Sequence, residues 1–82
     1  MGKVATVFKV YPESFDQAEE LRSRIISQMK PTSSQLEDIG FGIKVIKVMF
    51  VHEDQEGSTK YEEGLRKISG VKDVEVEDES LL

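Results

Sequence analysis

The sequence predicts an α+β two-layer sandwich, with four strands of antiparallel sheet covered by two helices. Three observations predict it. The 82 residues suffice for one thin core and a single domain over residues 1–82. Runs of β-type and helix-type patterning follow one another as strand, helix, strand, strand, helix, strand. Only two of the four strand runs are apolar on both faces, and these must be central.

The first strand runs from Lys3 to Tyr11. Val4, Thr6, Phe8 and Val10 share one face, while Ala5, Val7, Lys9 and Tyr11 take the other. Pro12 ends it. Ser14 with Gln17 then has the spacing of a capping box. Acidic Asp16, Glu19 and Glu20 precede basic Arg22, Arg24 and Lys30, the order that a helix dipole favours. Ala18, Leu21, Ile25 and Met29 recur at helical spacing and should face the sheet. Pro31 closes the helix, and Thr32-Ser33-Ser34 reads as a loop.

Gln35 to Ile39 is a short second strand whose Glu37 and Asp38 suit an edge. The third strand, Ile43 to Val51, is the most apolar. Ile46, Val48 and Phe50 lie on one side of it, with Ile43, Val45 and Met49 on the other. His52 to Gly57 is a polar loop. Thr59 with Glu62 repeats the capping-box spacing, and Tyr61, Leu65 and Ile68 mark the buried stripe of a second helix. Gly64 lies on that stripe at a cost of about 1 kcal/mol in helix propensity, which predicts close packing of the helix on the sheet. Gly70 should cap the helix C-terminus. In the last strand Val74 and Val76 alternate with Asp73, Glu75 and Glu77.

Two strand–helix–strand units joined by a hairpin make a ferredoxin-like sandwich. Right-handed crossovers place the first and third strands in the centre, for a sheet order of 4-1-3-2.

Composition removes several functions. The formal charge is −5. Residues 1–52 hold seven Lys/Arg against six Asp/Glu, and residues 53–82 hold four against ten. A strongly acidic half disfavours nucleic acid, which needs a basic stripe. It suits a basic protein partner or simple solubility. Without cysteine there is neither disulfide nor thiolate metal site, which fits a reducing, cytoplasmic setting. No apolar stretch approaches the roughly 20 residues of a membrane span, and Met1-Gly2-Lys3-Val4 enters a strand without a signal-peptide core.

The sequence builds no catalytic centre. His52 is the single histidine and reads as a solvated strand-end residue. Glu53, Asp54 and Glu56 lack EF-hand spacing. Gly40 and Gly42 lack a dinucleotide-loop context, and no Walker motif is present. No metal, cofactor or acid–base pair is expected, and the protein is read as a non-enzyme.

One feature stands apart. Ile39-Gly40-Phe41-Gly42-Ile43-Lys44 sets a large aromatic between two glycines at the start of the third strand. Either the ring stands out at a hairpin tip to meet a partner, or the turn is tight and the ring folds back on the sheet edge.

This segment, with the following apolar strand, Glu53-Asp54, Gly57-Ser58-Thr59 and Glu62-Glu63, resembles the exchange domain of elongation factor 1-beta. Lys3-Val4-Ala5-Thr6, Lys9-Val10-Tyr11-Pro12-Glu13-Ser14 and Ile68-Ser69-Gly70-Val71 resemble the free-standing archaeal form. The resemblance covers essentially the whole chain and implies a ferredoxin-like fold. It also implies exchange activity, the promotion of GDP release from the GTPase elongation factor 1-alpha, in its GDP-bound and nucleotide-free states, by a monomer. By that resemblance Phe41 docks into the second domain of the GTPase, shaped by Gly40 and Gly42, with Lys44 part of the motif. The far end, Ser80-Leu81-Leu82, then approaches the Mg²⁺ and phosphates.

The chain departs from that pattern twice. Its last six residues, Glu77 to Leu82, contain no Lys or Arg where relatives carry a basic residue, so the end would act by competing for Mg²⁺ or by steric intrusion. The segment from Met29 to Ile39 looks shorter than in archaeal relatives. The alternative function is a regulatory or assembly module that dimerises or binds a small ligand through its less covered sheet face, formed by Ala5, Val7, Ile43, Val45 and Met49.

Overall fold

The computed structural model describes residues 2–54 and 57–82. Gln55 and Glu56 of the expected polar loop, and Met1, lie outside the described residues. The strands are β1 (Lys3–Pro12), β2 (Ser33–Asp38), β3 (Lys44–Glu53) and β4 (Val71–Leu81); the helices are α1 (Ala18–Met29) and α2 (Thr59–Arg66). All pairings are antiparallel. The sheet order β2-β3-β1-β4 is the expected 4-1-3-2 read from the other edge. The fold is the ferredoxin-like sandwich.

Register decides what each strand buries. Val10 opposes Ile46, Phe8 opposes Val48 and Thr6 opposes Phe50 across β1 and β3, so one side presents a continuous apolar surface. Leu21 and Ile25 of α1, Leu65 of α2 and Ile68 close over it, and all four are buried. Phe50 sits at the centre. It meets Phe8 edge-on at 5.9 Å and stacks on Tyr61 at 4.7 Å, geometries that the ring quadrupoles favour.

The helix starts differ from expectation. Neither capping box forms. Ser14 bonds the Asp16 side chain, and a 3-10 turn, Phe15–Gln17, intervenes before α1. Around α2 the N-cap is Ser58, without a side-chain cap bond, and Glu62 bonds Arg66 instead. The Ser14 hydroxyl is taken up by Asp16, and the Glu62 carboxylate by Arg66. Helix α2 stops at Arg66, so Gly70 is not its cap. At φ 99° it turns the chain into β4, and its carbonyl accepts the Glu13 N–H at 2.9 Å.

Two further expectations are corrected. Ser33 and Ser34 are strand, because they pair with Met49 and Val48; the ladder with β3 outweighs their turn propensity. Gly64 lies close to helix α1, since a Cβ built on it would stand 2.8 Å from Met29 Cε. The glycine therefore admits a neighbouring helix.

Candidate functional site

The β2–β3 hairpin carries Phe41 at its tip. Ile43 N–H donates to the Gly40 carbonyl at 3.0 Å, Ile39 N–H to the Ile43 carbonyl at 2.9 Å, and Gly40 N–H to Asp38 Oδ1 at 2.9 Å. Gly40, Phe41 and Gly42 all have positive φ, at 101°, 56° and 76°. Positive φ at both central residues is what a type I′ turn requires. It costs a side-chain-bearing residue about 1–2 kcal/mol. The ring gains nothing from the fold in return, since Phe41 is fully exposed, at 105 %. The fold-back alternative is thereby excluded. Lys44 begins β3 opposite Asp38, and Ile39 beside the turn is also exposed.

Ser80, Leu81 and Leu82 lie at the opposite end of the sheet. Ser80 and Leu81 end an eleven-residue strand, and Leu82 follows it. Ser80 pairs with Ala5 and Leu81 with Val4, and the Leu82 N–H donates to the Lys3 carbonyl at 2.9 Å. Both leucines are largely exposed. The structure thus separates the two predicted groups of site residues by the length of the sheet.

The acidic side chains of β4 are wired to the rest of the fold. Asp73 pairs with Arg66 at 3.0 Å and accepts the Val74 N–H at 2.9 Å. These bonds, the backbone one foremost, hold its carboxyl below the ordinary range. Glu75 accepts the Tyr11 hydroxyl at 3.1 Å. Desolvation, then that carboxylate, push the phenol up. A bulge between Val76 and Asp78 resets the alternation around Glu77. Glu77 then meets Lys47 at 3.1 Å, and Lys47 also holds Glu37 at 3.0 Å. One lysine on β3 thereby spans both sheet edges, and the two carboxylates push its ammonium pKa up.

That lysine bears on the alternative reading. A face for dimerisation or ligand capture needs open apolar surface, but Lys47 and its two carboxylates cross it, and Ala5 and Val45 are buried. The open groove beside them, lined by Val7, Lys47 and Met49 with Ser33 to Gln35, has about 180 Å³.

His52 contradicts its expected role as a solvated residue. It is 5 % exposed, with Nε2 2.9 Å from Thr6 Oγ1 and Nδ1 2.9 Å from the Glu53 carbonyl. Its ring lies 5.3 Å from that of Tyr61. Sequence parity held the signal, because His52 continues the series Val48, Phe50 on the core side. Among the described residues no group of three or more His, Cys, Asp or Glu is placed to hold a metal ion. No described helix is long and apolar enough to cross a membrane.

Comparison with known proteins places the chain in a family. The family model described as "EF-1 guanine nucleotide exchange domain" matches residues 5–82. Elongation factor 1-beta of Aeropyrum pernix is 41% identical over 87 residues, covering 98% of this chain and 97% of its own. That of Methanosphaerula palustris is 42% identical over 84 residues, covering 99% of each. A solved ACT domain from the GTP pyrophosphokinase of Chlorobium tepidum superposes with a TM-score of 0.59 at 20% identity, over 94% of this chain and 100% of that one, and shares the fold alone. The chain belongs to the EF-1 guanine nucleotide exchange domain family, and its function is nucleotide exchange on elongation factor 1.

Proposed function

We propose that the domain acts as a monomer on elongation factor 1-alpha in the cytoplasm, gripping the GTPase from two ends. Phe41 is the anchor, presented by Gly40 and Gly42 with Lys44 beside it; Ser80, Leu81 and Leu82 form the second contact, toward the nucleotide. The observation that carries this reading is the energetic oddity of Phe41, a bulky residue at φ 56° that is wholly exposed. Such strain persists where function needs it.

The mechanism needs no bond-breaking and makes no use of a cofactor. The factor binds the nucleotide-free GTPase better than the GDP-bound one, so binding weakens GDP. Linkage makes the effect reciprocal, and GDP weakens the factor by the same ratio. Glu77 to Leu82 hold no Lys or Arg, so the strand end acts by competing for Mg²⁺ or by steric intrusion. The exposed leucines Leu81 and Leu82, held in register by β1, are shaped for the latter.

Phe41→Ala tests the anchor. Stability should stay close to wild type, while GTPase binding weakens by about 2 kcal/mol or more, read as a roughly 30-fold rise in Kd alongside stimulated release of fluorescent GDP. Unaltered affinity would remove Phe41 from the interface. Deletion of Leu81 and Leu82 should lower release with little loss of binding to the nucleotide-free GTPase.

A further inference from the structure

A chain of hydrogen bonds, buried at Thr6 and His52, runs from β3 through β1 to the end of β4, and its protons can be counted. Glu79 Oε2 lies 3.2 Å from Thr6 Oγ1. A carboxylate only accepts, so the Thr6 hydroxyl donates its one proton there. Thr6 Oγ1 must then accept from His52 Nε2 at 2.9 Å. The other ring nitrogen, Nδ1, faces the Glu53 backbone carbonyl at 2.9 Å, which also only accepts. All three bonds coexist only when both ring nitrogens carry hydrogen. The arrangement fits an imidazolium that reaches a carboxylate through a hydroxyl.

We propose that His52 is a positioning residue for the end of β4, which it holds through Thr6 and Glu79 when its ring is protonated. Loss of the proton leaves Nδ1–H on the Glu53 carbonyl and makes Nε2 an acceptor. The Thr6 hydroxyl turns toward it, and Glu79 loses its donor. Glu79 directly precedes Ser80, Leu81 and Leu82, so the histidine sets how firmly that segment is held. The consequence for exchange rests on the assignment of this segment to the GTPase contact.

The surroundings make this site distinctive. Thr6 is wholly buried and His52 nearly so, so water does not substitute readily for either partner. Among the described residues, the titratable and charged groups placed nearest by packing, register and sequence are Glu79 on β4, Tyr61 on α2 with Lys60 over its ring, Glu53 and Asp54 directly after His52, and Lys3 on β1 opposite Glu53. Asp73, Glu75 and Glu77 have Arg66, Tyr11 and Lys47 as partners; Glu79 alone of these four is linked, through Thr6, to the histidine ring.

The test uses the intact protein. Amide protection of Ser80 to Leu82, corrected for intrinsic exchange, should fall about ten-fold or more across the pH range in which the ring loses its proton, as read from imidazole nitrogen shifts. His52→Gln keeps a neutral donor toward Thr6 and should hold protection flat across that range. His52→Leu should be unprotected throughout; if it fails to fold, the Gln variant still decides. Protection that does not change while the wild-type ring titrates would overturn the proposal. Stimulated GDP release is read in parallel, with elongation factor 1-alpha's unstimulated release subtracted at each pH. A pH-dependent loss in wild type that is absent in His52→Gln supports the link to exchange. Protection that shifts while release stays flat upholds the positioning role and overturns the strand end as a GTPase contact.

Discussion

Gly64 and Met29 meet where the two helices touch, with no room for an undisturbed side chain between them. A Cβ on Gly64 would fall 2.8 Å from Met29 Cε and 3.4 Å from its sulfur. The obstacle is the free end of a flexible side chain that is only partly buried. Gly64→Ala should therefore lie within about 0.5 kcal/mol of wild type in urea, because a helix-propensity gain of about 1 kcal/mol is offset by displacing the thioether. In a Met29→Ala background the same change should stabilise by about 1 kcal/mol. The difference between the two backgrounds measures the contact.

Phe41 should show stability and binding moving in opposite directions. Asparagine tolerates positive φ better than other side chains, and Asn-Gly is a preferred type I′ pair. Phe41→Asn is expected to raise unfolding stability by about 1 kcal/mol while weakening GTPase binding about 30-fold. Chemical denaturation and a binding titration on one preparation check both.

Among the described residues, Lys30 occupies the other strained position outside glycine, at φ 50° after α1, where its N–H donates to the Ile26 carbonyl at 3.1 Å. No binding role is assigned to it. Lys30→Gly should stabilise by about 0.5 kcal/mol once the extra chain entropy of glycine is subtracted, with exchange activity unchanged. Urea midpoints and GDP release check the two halves.

Lys47 gives the sheet an alkaline dependence. Its folded-state pKa is raised by the Glu37 and Glu77 carboxylates. The stabilisation is therefore fully present below the usual lysine value of about 10.4 and lost as pH rises through the higher folded value. Lys47→Met should lower the urea midpoint at neutral pH, and the gap should close at strongly alkaline pH. High salt should narrow it as well, since the pair is partly exposed.

Architecture was legible because it rests on periodicity. The both-sided apolar character of Lys3 to Tyr11 and Ile43 to Val51 located the central strands, and that set the order of all four. The exposed hairpin tip at Phe41 was legible because a large aromatic between two glycines has few structural uses. Individual polar pairings were not. The capping boxes at Ser14 and Thr59 fit the spacing, yet Asp16 and Arg66 offered competing partners that spacing does not reveal. Glu77 could not be matched to Lys47, since one bulged residue changes which side chains share a face. His52 was misread through its polar neighbours, although its parity with Phe50 placed it inside.

The ten residues of β3 lead from the Phe41 turn toward the end where Leu81 lies, a run of about 33 Å at strand rise in a molecule 41 Å long. Paired along both of its sides, such a strand resists stretching. On the proposed two-ended contact, the domain is a caliper with a fixed jaw opening: a GTPase whose two contact surfaces stood at another spacing would close on one jaw only, and the gap itself would select the conformation that is gripped.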